Sequence, residues 1–169
     1  MRTRGVLDRP TRRELISRGM AAAVVAGSSL VPSPVALARD YGSQREALDD
    51  LDRLAAGCGM RLGAVNRSRV DAQILVPRFL ASLQKHRVTR EDVRTRFSLP
   101  KGVDPASQVG EVDGDLKALR QSLDDLMVAY AESLPVFGDS RVVSRLAVDM
   151  VDISRLRTVI DLWVESEAV

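Results

Sequence analysis

Apolar residues recur in the chain at alternating steps of three and four. Leu116, Leu119, Leu123, Leu126 and Tyr130 form one such seam, and Leu48, Leu51, Ala55, Cys58, Leu62 and Val65 form another. That period belongs to one face of an α-helix packed against other helices, and it is incompatible with the two-residue period of a strand. A third series, Leu146, Met150, Ile153, Ile160 and Trp163, marks the last helix. Nowhere does strict alternation run long enough to predict a strand. The expected fold is all-α, an antiparallel bundle of four main helices plus one short helix.

Punctuation residues divide the pattern. The first helix spans Tyr41 to Val65, with Gly57, Gly59 and Gly63 small enough to admit a close neighbour. Ser68 followed by Asp71 has the spacing of a capping box and predicts the opening of a second helix, with Val70, Ile74, Leu75, Phe79, Leu80 and Leu83 inward. Pro77 lies inside it and predicts a kink or break. Thr89 and Asp92 repeat the capping pattern and predict the short helix, ending near Phe97. Ser98 to Gly114 holds two prolines and three glycines and reads as a long loop. Pro135 closes the fourth helix near Leu134, and Asp139 or Ser140 caps the last.

The first 38 residues read as an address. Thr11-Arg12-Arg13-Glu14-Leu15-Ile16-Ser17 resembles the bacterial twin-arginine export motif, follows a basic stretch and precedes a short apolar run broken by Pro32 and Pro34. Ala36-Leu37-Ala38 has the small-x-small form that signal peptidase reads, with Ala36 and Ala38 as the cleavage-site residues. The expected organisation is a cleavable signal at 1–38 and a helical-bundle domain at 39–169. The implied partners are the twin-arginine translocon and signal peptidase, and the implied destination is the periplasm or the medium. The apolar run is too short to span a bilayer, and no membrane span is expected after cleavage.

Of the 25 basic and 23 acidic residues, six arginines and two acids fall within 1–38, so the remainder carries 19 basic and 21 acidic residues. The net charge of about −2 removes the basis for a nucleic-acid partner. One cysteine and one histidine exclude disulfide frameworks, multi-cysteine metal sites, HExxH sites and paired Glu-x-x-His motifs. No metal and no cofactor is expected. His86, between Lys85 and Arg87, reads as an exposed helix-end residue, and Cys58 as a buried inert thiol. Asp104, Glu111, Asp113 and Asp115 lack EF-hand spacing and read as a solvated, helix-capping cluster. Asp149, Asp152, Arg145, Arg155 and Arg157 read as a surface face with i,i+3 and i,i+4 pairs, except that Arg157 falls in the apolar seam, where a cation snorkels or lines a polar pocket.

One longer stretch carries a family likeness. Asp115-Leu116-Lys117-Ala118-Leu119-Arg120-Gln121-Ser122-Leu123-Asp124-Asp125-Leu126 resembles the L-x-x-x-R-x-x-I-D-x-L helix of secreted chorismate mutases, and Ser68 to Gln73 is similar to another of their segments. The resemblance implies an all-helical, exported, cofactor-free enzyme whose cations clamp a dicarboxylate, with Arg61 and Arg69 as binding positions. The lysine those enzymes carry in a V-A-x-x-K-W context has no counterpart, because no lysine occurs between Arg39 and Gln84. Catalytic residues are therefore unassigned, and Arg61, Arg69 and Arg157 are the candidate ligand-binding set, for a small anion. The expected function is an exported, non-catalytic bundle that binds a partner protein or a small ligand. The alternatives are the mutase-like enzyme and a small accessory subunit co-exported with a larger redox enzyme.

Overall fold

A computed structural model describes residues 39–102, 104 and 112–167. They form four α-helices: α1 (Gln44–Ser68), α2 (Val76–Arg96), α3 (Leu116–Ser133) and α4 (Ser140–Glu167). Two single turns of 3-10 helix, Asp71–Gln73 and Leu134–Val136, lie in the connections, and no strand occurs among the described residues. The chain is an all-α bundle.

Local chemistry accounts for the boundaries. The Ser43 hydroxyl accepts from the Glu46 amide at the start of α1, satisfying one amide that the helix leaves unpaired, and the Glu46 carboxylate accepts from the Gly42 amide just before the cap. Asp115 accepts from the Lys117 amide to open α3, and Asp139 accepts from the Arg141 amide to open α4. After Arg96 the chain leaves α2 through Ser98, at φ 53°, and the Leu99 amide returns to the Arg94 carbonyl at 2.9 Å. A left-handed residue followed by this long-reach bond satisfies carbonyls of the last helical turn.

The second helix departs from the sequence expectation. Ser68 opens nothing; it ends α1 and donates its hydroxyl to the Val65 carbonyl. Asp71 lies in the 3-10 turn, which leaves Val70 and Ile74 exposed rather than inward. Pro77 stands in the first turn of α2, where a missing N–H breaks no helical bond, so the helix runs unbroken from Val76. Thr89 donates to the Lys85 carbonyl instead of capping. The short helix expected from Thr89 is the last part of α2.

Ion pairs fix the directions of the helices. Arg94 reaches Asp49 and Arg90 reaches Asp52, so the end of α2 meets the start of α1. Asp92 meets Arg145, and Asp124 meets Arg157. At the remaining edge Gln44 bonds the Val136 carbonyl, and Gly114 lies against Ala64. Around the bundle the order is α1, α2, α4, α3, and each neighbour is antiparallel. Helices α2 and α3 occupy opposite corners and point the same way. Their connection therefore returns along the bundle: Gly102 lies at Asp49 and Gly114 at Ala64, about 22 Å apart along α1 at 1.5 Å per residue. This is the single long crossover of such a topology.

The core joins the predicted seams. Leu48, Leu51, Cys58, Leu62 and Val65 of α1 and Leu119, Leu123, Leu126 and Tyr130 of α3 are fully buried, with Leu146, Ile153 and Ile160 of α4 against them. None of the four helices is long and apolar enough to cross a membrane.

Candidate ligand groove between α1 and α2

The residues singled out in the sequence occupy separate places. Arg12, Arg13, Ala36 and Ala38 lie outside the described residues. Arg61 of α1 donates to Asp113 at 3.1 Å. Arg69, just beyond α1, holds Asp71 with two bonds of 3.1 and 3.0 Å, and this contact lowers the Asp71 pKa. Arg157 of α4 donates to Asp124 of α3 at 2.8 Å and also pairs with Asp161. Asp124 is eight residues along α3 from Leu116, about 12 Å from the end that Arg61 reaches. The three arginines do not converge; Arg61 pairs with Asp113, Arg69 with Asp71, and Arg157 with both Asp124 and Asp161.

Two other arginines are drawn inward. Arg90 is 2% exposed and Arg94 3%. The Arg90 Nε donates to Asp52 at 2.5 Å and its Nη1 to the Tyr130 hydroxyl at 2.8 Å. The Arg94 Nη2 donates to Asp49 at 2.7 Å and to Asp52 at 2.8 Å, and its Nη1 reaches the Pro100 carbonyl. Desolvation works against both guanidinium charges, but Tyr130 and Asp52 for Arg90, and Asp52 and Asp49 for Arg94, outweigh it and hold the charged forms. Burial pushes the Tyr130 phenol up to about 12. The network ties α1, α2, α3 and the start of the crossover together. Gly102 permits that approach, because a Cβ there would come within 3.0 Å of Arg94 and Asp49.

Sequence reading missed this network. Asp49 and Asp52 flank the seam leucines, and Arg90 and Arg94 repeat at four. Complementary charge at helical spacing on two elements was the available signal, but the partners are about 40 residues apart.

His86 and Asp149 also correct the expectation. His86 is fully buried between α2 and α4, not exposed at a helix end, and Asp149 is 3% exposed, not part of a surface face. The His86 Nε2 lies 3.3 Å from the Ser82 hydroxyl, 3.5 Å from Asp152 and 3.7 Å from Asp149. Burial lowers the His86 pKa and raises that of Asp149. Ser82, His86 and Asp152 have the composition of a nucleophilic triad, yet both contacts fall on one nitrogen. A proton relay needs the serine on one ring nitrogen and the carboxylate on the other. Cys58 is buried, and desolvation pushes its thiol up to about 12, well away from a reactive thiolate. No group of three or more His, Cys, Asp or Glu among the described residues is arranged to hold a metal ion.

Beside the buried network a groove of about 470 Å³ opens between α1 and α2. That volume lies in the range of small-molecule sites. Ala55, Ala56 and Gly59 of α1 and Leu80 and Leu83 of α2 supply its apolar surface. Asp52 and Arg90 belong to it and to the ion network, while Arg87, Glu91, Lys101 and Asp104 add charge from α2 and the crossover. A wider and more open hollow of about 670 Å³ lies at the start of α1. There Asp50 already receives Arg39, Tyr41 and Arg53, so its charges are satisfied internally.

Comparison with protein-family models, with curated proteins and with solved structures finds no match.

Proposed function

We propose that the chain is an exported, non-catalytic helical-bundle module that takes a small ligand in the groove between α1 and α2. One observation carries the reading. The groove combines an apolar surface, supplied by Ala55, Ala56, Gly59, Leu80 and Leu83, with a rigid polar foundation in which Arg90, Arg94, Asp49 and Asp52 already satisfy one another. A site of this kind binds by shape and burial. Its lining holds no serine, threonine or cysteine nucleophile, and its uncommitted charges are of mixed sign rather than the all-cationic clamp that a dicarboxylate needs. The spread of Arg61, Arg69 and Arg157 over three separate aspartate pairs weighs against the mutase-like alternative.

Export rests on Arg12 and Arg13 and on the Ala36-Leu37-Ala38 site, with the translocon and signal peptidase as partners during passage. Cell fractionation with intact-mass measurement tests it: the recovered protein begins at Arg39, and lysine at both Arg12 and Arg13 retains it inside.

A thermal-shift panel of small metabolites, run on the wild type and on Gly59→Leu, tests the binding reading. A Cβ on Gly59 meets only Leu83, at 4.0 Å, so a leucine there grows into the groove without disturbing backbone. A ligand that binds the native groove raises the melting temperature by mass action. The reading predicts that the rise disappears in Gly59→Leu. Turnover of chorismate by the wild type contradicts it.

A further inference from the structure

The groove is polar at one end and apolar at the other. On α2, Leu80, Arg87 and Glu91 follow one stripe, and 11 residues of helix separate its extremes, about 16 Å. Gly59 and Leu83 meet toward the apolar end, and Asp52 meets Arg90 toward the charged end.

The charges at that end belong to two sets. Asp52 and Arg90 are committed to the buried network, and Asp104 is also engaged by a partner. Arg87, Glu91 and Lys101 have no ion pair among the described residues, although they line the groove. The uncommitted set is therefore of mixed sign: Arg87 and Lys101 attract a carboxylate, and Glu91 attracts an ammonium. A simple fatty acid leaves Glu91 facing its own kind of charge. A simple amine does the same to Arg87 and Lys101. A ligand that turns a free ammonium and a free carboxylate toward this end and apolar side chains toward the other satisfies all three and buries those side chains against the alanines and leucines.

We propose that the groove binds an apolar amino acid or short peptide with free termini, its carboxylate toward Arg87 and Lys101, its ammonium toward Glu91 and its side chains toward Ala55, Ala56, Leu80 and Leu83. This rests on the reading of the groove as the ligand site and adds the ligand's class.

Calorimetric titration of the full chain with three probes tests it: the dipeptide Leu-Phe with free termini, its N-acetyl form and its C-terminal amide. The free dipeptide binds saturably, and each blocked form binds at least tenfold more weakly. Lys101→Ala weakens the dipeptide tenfold and leaves the amide unchanged, whereas Glu91→Gln weakens the dipeptide and leaves the acetyl form unchanged. Both positions are exposed, so the variants keep the fold. A blocked form that binds as tightly as the free dipeptide overturns the zwitterion assignment and leaves the groove as a binding site. Failure of all three probes to bind overturns the assignment and counts against the groove as well.

Discussion

The two sides of the bundle are held by different physics. Between α3 and α4, Leu119, Leu123, Leu126, Leu146, Ile153 and Ile160 close on one another, and the ion pairs Arg157–Asp124 and Arg120–Asp161 lie partly in solvent at the margin. Between α1 and α2 the ion pairs move inward: Arg90 and Arg94 are as buried as the leucines, and Asp52 bridges them. Apolar packing is tolerant, since a side chain of similar volume fills the same space. A desolvated ion network is not, because each charge depends on the others for its solvation. The apolar side packs by volume alone, whereas the polar side sets the paired Asp52 and Arg90 into the wall of the groove.

The largest effect that tests this contrast is Arg90→Ala. It removes the bond to Tyr130 and the short contact to Asp52, and should cost about 3–5 kcal/mol, the usual loss when one partner of a buried pair is deleted. Urea denaturation measures it; a loss below 1 kcal/mol would mean the network is solvated. Leu123→Ala, at a fully buried position of α3, should cost about 2–5 kcal/mol through lost burial and the cavity left behind. Leu123→Met should cost less than about 1.5 kcal/mol, as expected of a volume-conserving change. A larger loss would remove the tolerance claimed for the apolar side. Gly102→Ala should cost about 1 kcal/mol, the low end of overpacking, because its Cβ presses on the flexible Arg94 side chain. The same change in an Arg94→Ala background should cost less, because only the Asp49 carboxylate then stands against the new Cβ.

The smallest effect is a dependence on pH. Burial holds the His86 pKa below its ordinary value, with Asp149 and Asp152 of α4 opposing that shift and Arg90 of α2 reinforcing it. A depressed histidine contributes stability that is fully present above the unfolded pKa of about 6.5 and is lost as pH falls toward the folded value. The raised Asp149 works the other way, stabilising the fold at low pH and losing that contribution as pH rises through its folded value. The aspartate remains in His86→Gln and largely cancels in a comparison. The melting temperature of wild type relative to His86→Gln should therefore be constant above about pH 6.5 and fall below it. A difference that grows on acidification would mean that His86 is charged in the fold.

The apolar side was legible because a seam is local. Leu116 to Tyr130 announces its buried face within 15 residues, and Asp115 and Asp139 announce their caps within three. The second helix was misread for a local reason too. Ser68 and Asp71 have cap spacing, and Pro77 reads as a breaker unless the helix begins beside it. The Ser68 hydroxyl instead serves the end of α1, and α2 starts at Val76. The groove was illegible because it depends on pairing across the chain. Arg90 and Arg94 look like any exposed helix face until the antiparallel register brings Asp49 and Asp52 opposite them. His86 followed the same logic: its charged neighbours in sequence suggested solvent, while its neighbours in space are on α4.

The proposal that the groove beside the polar side is a ligand site has a direct test in amide chemical-shift mapping during a titration of the full chain with Leu-Phe. The account predicts saturable shifts at Ala55, Ala56, Gly59, Arg87 and Lys101, with Leu123, Leu146 and Ile153 unmoved. Shifts centred on the α3–α4 seam, or no saturable shifts in the groove, would contradict it.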